Sequence, residues 1–199
     1  MEELIKLYES RRDFLKERLS LFSDLHEGDY FKEFIFCLLT PQSNAKKCWS
    51  AVEEIFKSEI FEEEKIREIL KKNTRFHNNK TKYLMDSKKV WSVIKARLDD
   101  KNRKELRNFI SENVKGYGLK EAGHFLRNIG KSDNQIAILD RHILRNLKSF
   151  GIIDKDFIKN KNEYLVMEEK YLKFADEIKI PADELDLLFW SKETGEIFK

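Results

Sequence analysis

The sequence predicts an all-α fold. Nearly every segment repeats its apolar residues with the 3.6-residue period of a helix, none alternates as a half-buried strand does, and the 199 residues include only two Pro and seven Gly. Leu4, Leu7, Tyr8, Phe14 and Leu15 mark a first helix. A second follows Gly28 and Asp29, carries Tyr30, Phe31, Phe34, Cys37 and Leu38, and is stopped by Pro41. Ser43 or Asn44 can cap a third helix bearing Trp49, Val52, Ile55 and Phe56. A short helix is predicted near 66–70 and a longer one through Tyr83, Val90, Trp91 and Ile94. Later helices fall at about 101–113, 119–129, 140–149, 161–177 and 182–191. Internal repeats and low-complexity stretches are absent.

Composition bounds what such a chain can do. Hydrophobic residues make up 41%, with 15 Phe and 3 Trp, far more large apolar side chain than a disordered chain carries. No apolar run approaches the length that crosses a bilayer, and the opening MEELIKLYES is acidic and amphipathic. A cytoplasmic protein without a membrane partner is therefore expected. Cys37 and Cys48 are the only cysteines and form no CxxC pair, so core thiols are expected, and no metal-binding cluster or disulfide framework.

The net charge of +3 hides an asymmetry. Residues 1–64 hold 9 Lys+Arg against 15 Asp+Glu, and 132–199 hold 11 against 14, whereas 65–131 hold 19 against 7. A basic middle between acidic ends suits a polyanion, because neutralised phosphates release counterions. A solvated Lys-rich surface would give the same count.

Four of the seven Gly lie within NFISENVKGYGLKEAGHFLRNIG. One amphipathic helix (Leu106, Phe109, Ile110) runs into Val114-Lys115-Gly116-Tyr117-Gly118, and another (Leu119, Ala122, Phe125, Leu126, Ile129) leaves it: a helix-hairpin-helix. Glycines spaced G-x-G allow positive φ and turn successive N–H groups outward at a helix start, where a phosphate can bind without any side chain. A plain turn needing Gly at a helix C-terminus would share the spacing. The surrounding basic band favours the phosphate reading.

With these residues in view, the chain resembles the helix-hairpin-helix DNA glycosylases. Their hairpin has the form (L/V)-x-G-(hydrophobic)-G, followed two residues on by a Lys in bifunctional members, and about twenty residues later by an Asp. Here Lys120 follows Gly118 by two, and Asp140 lies in Ile138-Leu139-Asp140-Arg141-His142. The segments CLLTPQSNA, RFHNNK, KEAGHFLRN and LFWSKETGEIFK extend the likeness to the type-2 8-oxoguanine DNA glycosylase/lyase family over nearly the whole chain.

The resemblance implies a two-lobed, all-α fold. One lobe spans 31–140 with the hairpin at about 104–130, the other combines 1–30 with 141–199, and a cleft between them takes the base. It implies excision of 8-oxoguanine from double-stranded DNA and a nick 3′ to the lesion by β-elimination.

Each matching residue then acquires a role. Lys120 becomes the nucleophile; the positive end of its helix dipole disfavours an ammonium there, and an amine attacking the deoxyribose splits one hard step into two. Asp140, well placed as an N-cap, could also accept the amine's proton or stabilise the developing positive sugar. Phe76 and Trp190, both in segments read as loop-flanked, match positions that sandwich the flipped base. The α-carboxylate of Lys199, anchored by Phe198, would accept the extra N–H that distinguishes the lesion from guanine. Gln42, in the turn after Pro41, could bond the base or fill the gap in the duplex. Gly116, Gly118 and His142 would contact phosphate.

No organic cofactor is implied, although a monovalent cation held by hairpin carbonyls is compatible with the resemblance. A monomer is expected, associated with the nucleoid through DNA. The rival readings are a helix-hairpin-helix glycosylase for another oxidised base, a non-enzymatic DNA-binding scaffold and a helical protein-interaction module.

Overall fold

The computed structural model describes residues 1–58 and 61–195. All regular structure among them is helical: α1 (Glu2–Ser23), α2 (Tyr30–Leu39), α3 (Ala45–Lys57), α4 (Glu63–Asn73), α5 (His77–Ala96), α6 (Arg103–Asn113), α7 (Leu119–Asn128), α8 (Arg141–Ser149), α9 (Lys161–Glu177) and α10 (Ala182–Thr194), with a 3-10 turn at Glu27–Asp29 before α2. No described helix is long and apolar enough to cross a membrane. The chain divides into two compact units, one formed by Met1–Asp24 with 126–195 and the other by Leu25–Phe125.

The second unit is built around α2. Its residues from Glu33 to Leu39 are all buried, and all but Glu33 are apolar, as a helix enclosed on every side requires; α3 and α5 pack directly against it. Cys37 and Cys48 are buried free thiols, as the sequence suggests. Phe34 gathers the aromatic side chains: its ring centroid lies 5.0 Å from Tyr117, 5.1 Å from Trp91 and 5.2 Å from Phe125. Each spacing suits an aromatic pair. The Tyr117 hydroxyl also donates to the Phe34 carbonyl at 2.6 Å, and burial holds this phenol well above its ordinary pKa. The hairpin between α6 and α7 is thus pinned to the core by its own central residue.

One position makes that pinning possible. Gly116 has φ +89°, and a Cβ added there would meet Tyr83 Cδ2 at 2.5 Å and Leu38 Cδ1 at 3.1 Å. Both the left-handed conformation and the close approach demand glycine.

In the first unit α1, α8 and α9 pack on α10. The Tyr8 hydroxyl donates to Glu184 at 2.7 Å and Arg11 donates to the Ser191 hydroxyl at 2.7 Å, fastening α1 along that helix. Between α7 and α8 the chain has no regular structure, yet Ile136, Ala137, Ile138 and Leu139 are buried. Buried backbone must find partners. Here α9 supplies them: Glu168 accepts from the Ala137 N–H at 2.9 Å, and the Tyr164 hydroxyl donates to the Ala137 carbonyl at 2.6 Å while accepting from the Leu139 N–H at 3.3 Å. Asp140 follows immediately.

The predicted helices are all present, most within two residues of their expected ends. The short helix near 66–70 extends over Glu63–Asn73, and α10 continues to Thr194, so Trp190 lies inside a helix and not beside a loop.

Gly116→Ala is expected to destabilise the fold by about 2–4 kcal/mol, from left-handed strain plus displacement of Tyr83. Urea unfolding checks this; a loss below about 0.5 kcal/mol, the range of an ordinary surface change, would contradict the packing described.

Candidate active site

The hairpin ends in a helix start that the sequence locates correctly. The Gly118 carbonyl accepts from the Ala122 N–H at 3.0 Å, making Gly118 the N-cap of α7 and Lys120 its second helical residue. Of the two glycines in the G-x-G, only Gly116 has positive φ, so the expectation of positive φ holds at one of them. At Gly118 the neighbour is Glu121. Its Oε2 accepts from the Gly118 N–H at 3.1 Å, and a Cβ at Gly118 would lie 3.0 Å from that oxygen. This is the returning half of a capping box, in which a Glu at the third helical position satisfies the N-cap N–H.

The other Glu121 oxygen, Oε1, is 2.8 Å from Lys120 Nζ, and the Lys120 side chain keeps 30% of its exposure. The ammonium that the helix dipole disfavours therefore has a counter-ion, and the Gly118 N–H expected to meet phosphate is bonded to a carboxylate. Glu121 thus engages the Gly118 N–H with one oxygen and the Lys120 amine with the other.

Gln42 and Phe76 lie in the same unit. Both are exposed, and both are non-glycine residues in the left-handed region, with φ of 54° and 56°. Such backbone is uncommon and persists only where surrounding structure enforces it. Phe76 is 53% exposed at the start of α5, with the Arg75 guanidinium 5.5 Å from its ring centroid.

The first unit contributes Asp140, His142 and Trp190. Asp140 is the N-cap of α8, and Oδ1 alone accepts both cap bonds, from the His142 N–H at 2.8 Å and the Ile143 N–H at 2.9 Å. Capping therefore occupies one carboxylate oxygen of the two. His142 and Trp190 are brought together edge to face, 6.2 Å between centroids. His142 Nδ1 lies 3.7 Å from Glu193 Oε2, too long for a hydrogen bond. Lys199 and its anchor Phe198 lie outside the described residues.

Sequence reasoning missed one buried group in this unit. Asp186 is 3.6 Å from the Arg127 guanidinium. Burial, opposed by the Arg127 charge and reinforced by Asp140 and Asp183, pushes its carboxyl up to about 7. The only sequence hint was an Asp on the otherwise apolar stretch of α10, Leu185 to Phe189.

The profile of the family described as 8-oxoguanine DNA glycosylase matches residues 13–180 of this chain. The chain belongs to the 8-oxoguanine DNA glycosylase family. The 8-oxoguanine DNA glycosylase/AP lyase of Fusobacterium nucleatum is 40% identical, over 99% of this chain and 96% of its own length. Among solved structures, the 8-oxoguanine DNA glycosylase of Thermotoga maritima is similar with a TM-score of 0.88 and 30% identity, covering 100% of this chain and 97% of that one. The 8-oxoguanine glycosylase/lyase of Methanocaldococcus jannaschii, in complex with 15mer DNA containing 8-oxoguanine, also has a TM-score of 0.88 and 30% identity, with 100% of both chains covered. The all-α helix-hairpin-helix fold expected from sequence is thus the fold of this glycosylase family.

Two outcomes follow for this family member. Replacing Glu121 with Gln keeps an acceptor for the Gly118 N–H but removes the anion beside Lys120; borohydride trapping at neutral pH is expected to rise about two- to five-fold, the equivalent of a partly exposed ion pair. Slower trapping would make the carboxylate an aid to attack, not a restraint. For Asp186, the folded carboxyl keeps its proton from its unfolded value of 3.8 up to about 7. Its contribution to stability is complete below the lower value and lost as pH rises through the upper. The stability of the parent relative to Asp186→Asn should therefore fall between those limits by at most about 1.4 kcal/mol per pH unit. Parallel pH curves would contradict the buried-acid assignment.

Proposed function

We propose that this chain removes 8-oxoguanine from double-stranded DNA and nicks the strand 3′ to the lesion. The observation that carries the reading is an amine with residual exposure, Lys120, one residue inside the helix that leaves the G-x-G hairpin, in a chain matched by the family profile over 13–180. Backbone N–H groups of the hairpin take a phosphate, which favours a helix N-terminus. The base leaves the stack and is held by Phe76 and Trp190, with Gln42 bonding the base or replacing it in the duplex, and the Lys199 carboxylate accepting the N–H that guanine lacks. His142 adds a phosphate contact.

Neutral Lys120 attacks the sugar C1′ as the bond to the base breaks, and Asp140 accepts the proton lost by the amine. The base departs with the bonding pair and is protonated. Ring opening breaks the C1′–O4′ bond, O4′ takes a proton from water, and a protonated Schiff base remains, whose electron-withdrawing nitrogen acidifies a proton on the neighbouring 2′ carbon. Loss of that proton expels the 3′ phosphate, and water releases the enzyme. A monovalent cation held by hairpin carbonyls, such as that of Val114 which accepts from the Tyr117 N–H at 3.1 Å, belongs to this proposal. When bound it would screen phosphate charge. No organic cofactor is proposed. A monomer acting on nucleoid DNA in the cytoplasm completes the reading.

The test is a panel of duplexes, each carrying one damaged base, scored separately for base release and strand nicking. Release of 8-oxoguanine with a nick 3′ to it is expected. Preferential release of an oxidised pyrimidine would reassign the substrate, and salt-sensitive binding without release from any duplex would mark a scaffold.

A further inference from the structure

Lys80 is buried in the first turn of α5, and its Nζ is surrounded by neutral oxygens. It donates to the Leu39 carbonyl at 2.6 Å, to the Pro41 carbonyl at 2.9 Å and to the Ser43 hydroxyl at 2.8 Å. An ammonium has three protons, and these acceptors use all of them. Burial pushes this amine below its ordinary pKa, and the neighbouring Cys48 thiol, pushed up to about 11 by burial, donates to the same Leu39 carbonyl at 3.2 Å. The carbonyl at the end of α2 is an orphan of its helix and needs such donors. Filling that need does not explain why the cation also reaches round to Pro41 and Ser43.

The turn geometry does. Pro41 and Ser43 flank Gln42, so the residue with φ 54° has a Lys80 hydrogen bond on each side. Ser43 Oγ accepts a second bond, from the Arg75 N–H at 2.9 Å, and the Phe76 carbonyl accepts from the Lys80 N–H at 3.0 Å. That carbonyl bond is the first backbone bond of α5, so Phe76, at φ 56°, is tied to the Lys80 ammonium on one side only, through the Ser43 hydroxyl and the Arg75 N–H. Two exposed residues in rarely populated backbone conformations, more than thirty positions apart in sequence, are thus connected through one buried ammonium and one hydroxyl.

We infer that Lys80 is a positioning residue that holds the Gln42 turn and the Phe76 turn as a single base-contacting unit, so that base recognition depends on it while attack at the sugar does not. The inference deepens the proposed excision of 8-oxoguanine and rests on it for the role of the two side chains. Lys80 does not touch the base. It fixes where two side chains can stand when the base arrives.

The test separates base release from sugar chemistry. In Lys80→Met, single-turnover release of 8-oxoguanine is expected to fall at least about ten-fold, as for loss of a charged hydrogen-bond donor, while nicking of a duplex with a preformed abasic site falls no more than about two-fold. Ser43→Ala removes the shared hydroxyl without emptying the core and should shift the same ratio in the same direction by about three-fold. Combined with Phe76→Ala, the Lys80→Met loss should be less than additive, since both remove one function. Hydrogen exchange adds a readout independent of activity: the Ser43 and Arg75 amides should exchange faster in Lys80→Met, while those of α7 stay protected. Equal loss of both activities, an unchanged release rate, or unaltered exchange at Ser43 and Arg75 would overturn the inference. A parent protein that nicks abasic sites but never releases 8-oxoguanine would instead overturn the functional reading, and exchange would still decide whether the two turns share one clamp.

Discussion

Position 116 can carry no Cβ, and much of the candidate site follows from that. The chain turns there in left-handed conformation with Tyr83 of α5 and Leu38 of α2 in the space a side chain would fill. Because the turn can press so close, Tyr117 reaches the Phe34 ring and carbonyl, and α7 starts from a point fixed to the core. Lys120 is presented one residue into that helix. A loose hairpin could still bind phosphate, but it would not deliver an amine to a defined place, and effective reaction demands defined placement.

Two lysines of the same unit illustrate how surroundings divide labour between identical side chains. Lys120 is half-exposed, with one carboxylate at hand that also closes the helix cap. A single partner on a flexible side chain is readily exchanged, which suits the nucleophile proposed for this position. Lys80 is buried among three neutral oxygens belonging to one turn and the end of a helix. Its bonds have no simple replacement from solvent or substrate, which suits a fixed strut and disqualifies a nucleophile. The first unit shows a comparable economy at Asp140, where one carboxylate oxygen accepts both bonds that cap α8 and the other accepts neither.

Local signals made most of this legible before any coordinates. Helical periodicity located the elements, Pro41 marked the end of α2, and Asp140 was recognisable as a cap because the residues after it carry a helical pattern. The hairpin stood out because glycine is scarce elsewhere. Glu121 also leaves a sign in the sequence, a Glu three residues after the cap. At Trp190 the sequence suggests a flanking loop because Ser191 to Gly195 resembles a turn, whereas α10 runs on to Thr194 and Gly195 ends it with φ 76°. The partners of Lys80 and the burial of Asp186 were beyond sequence reading. Both depend on which segments meet in space, and neither leaves a periodic trace.

The central claim is that Lys120 forms the covalent bond to DNA. Its most direct test is borohydride reduction during reaction with an 8-oxoguanine duplex, followed by proteolysis and mass mapping of the adduct. The account predicts a single cross-link at Lys120 and none in Lys120→Gln. A cross-link at another amine, or undiminished trapping by that variant, would contradict it.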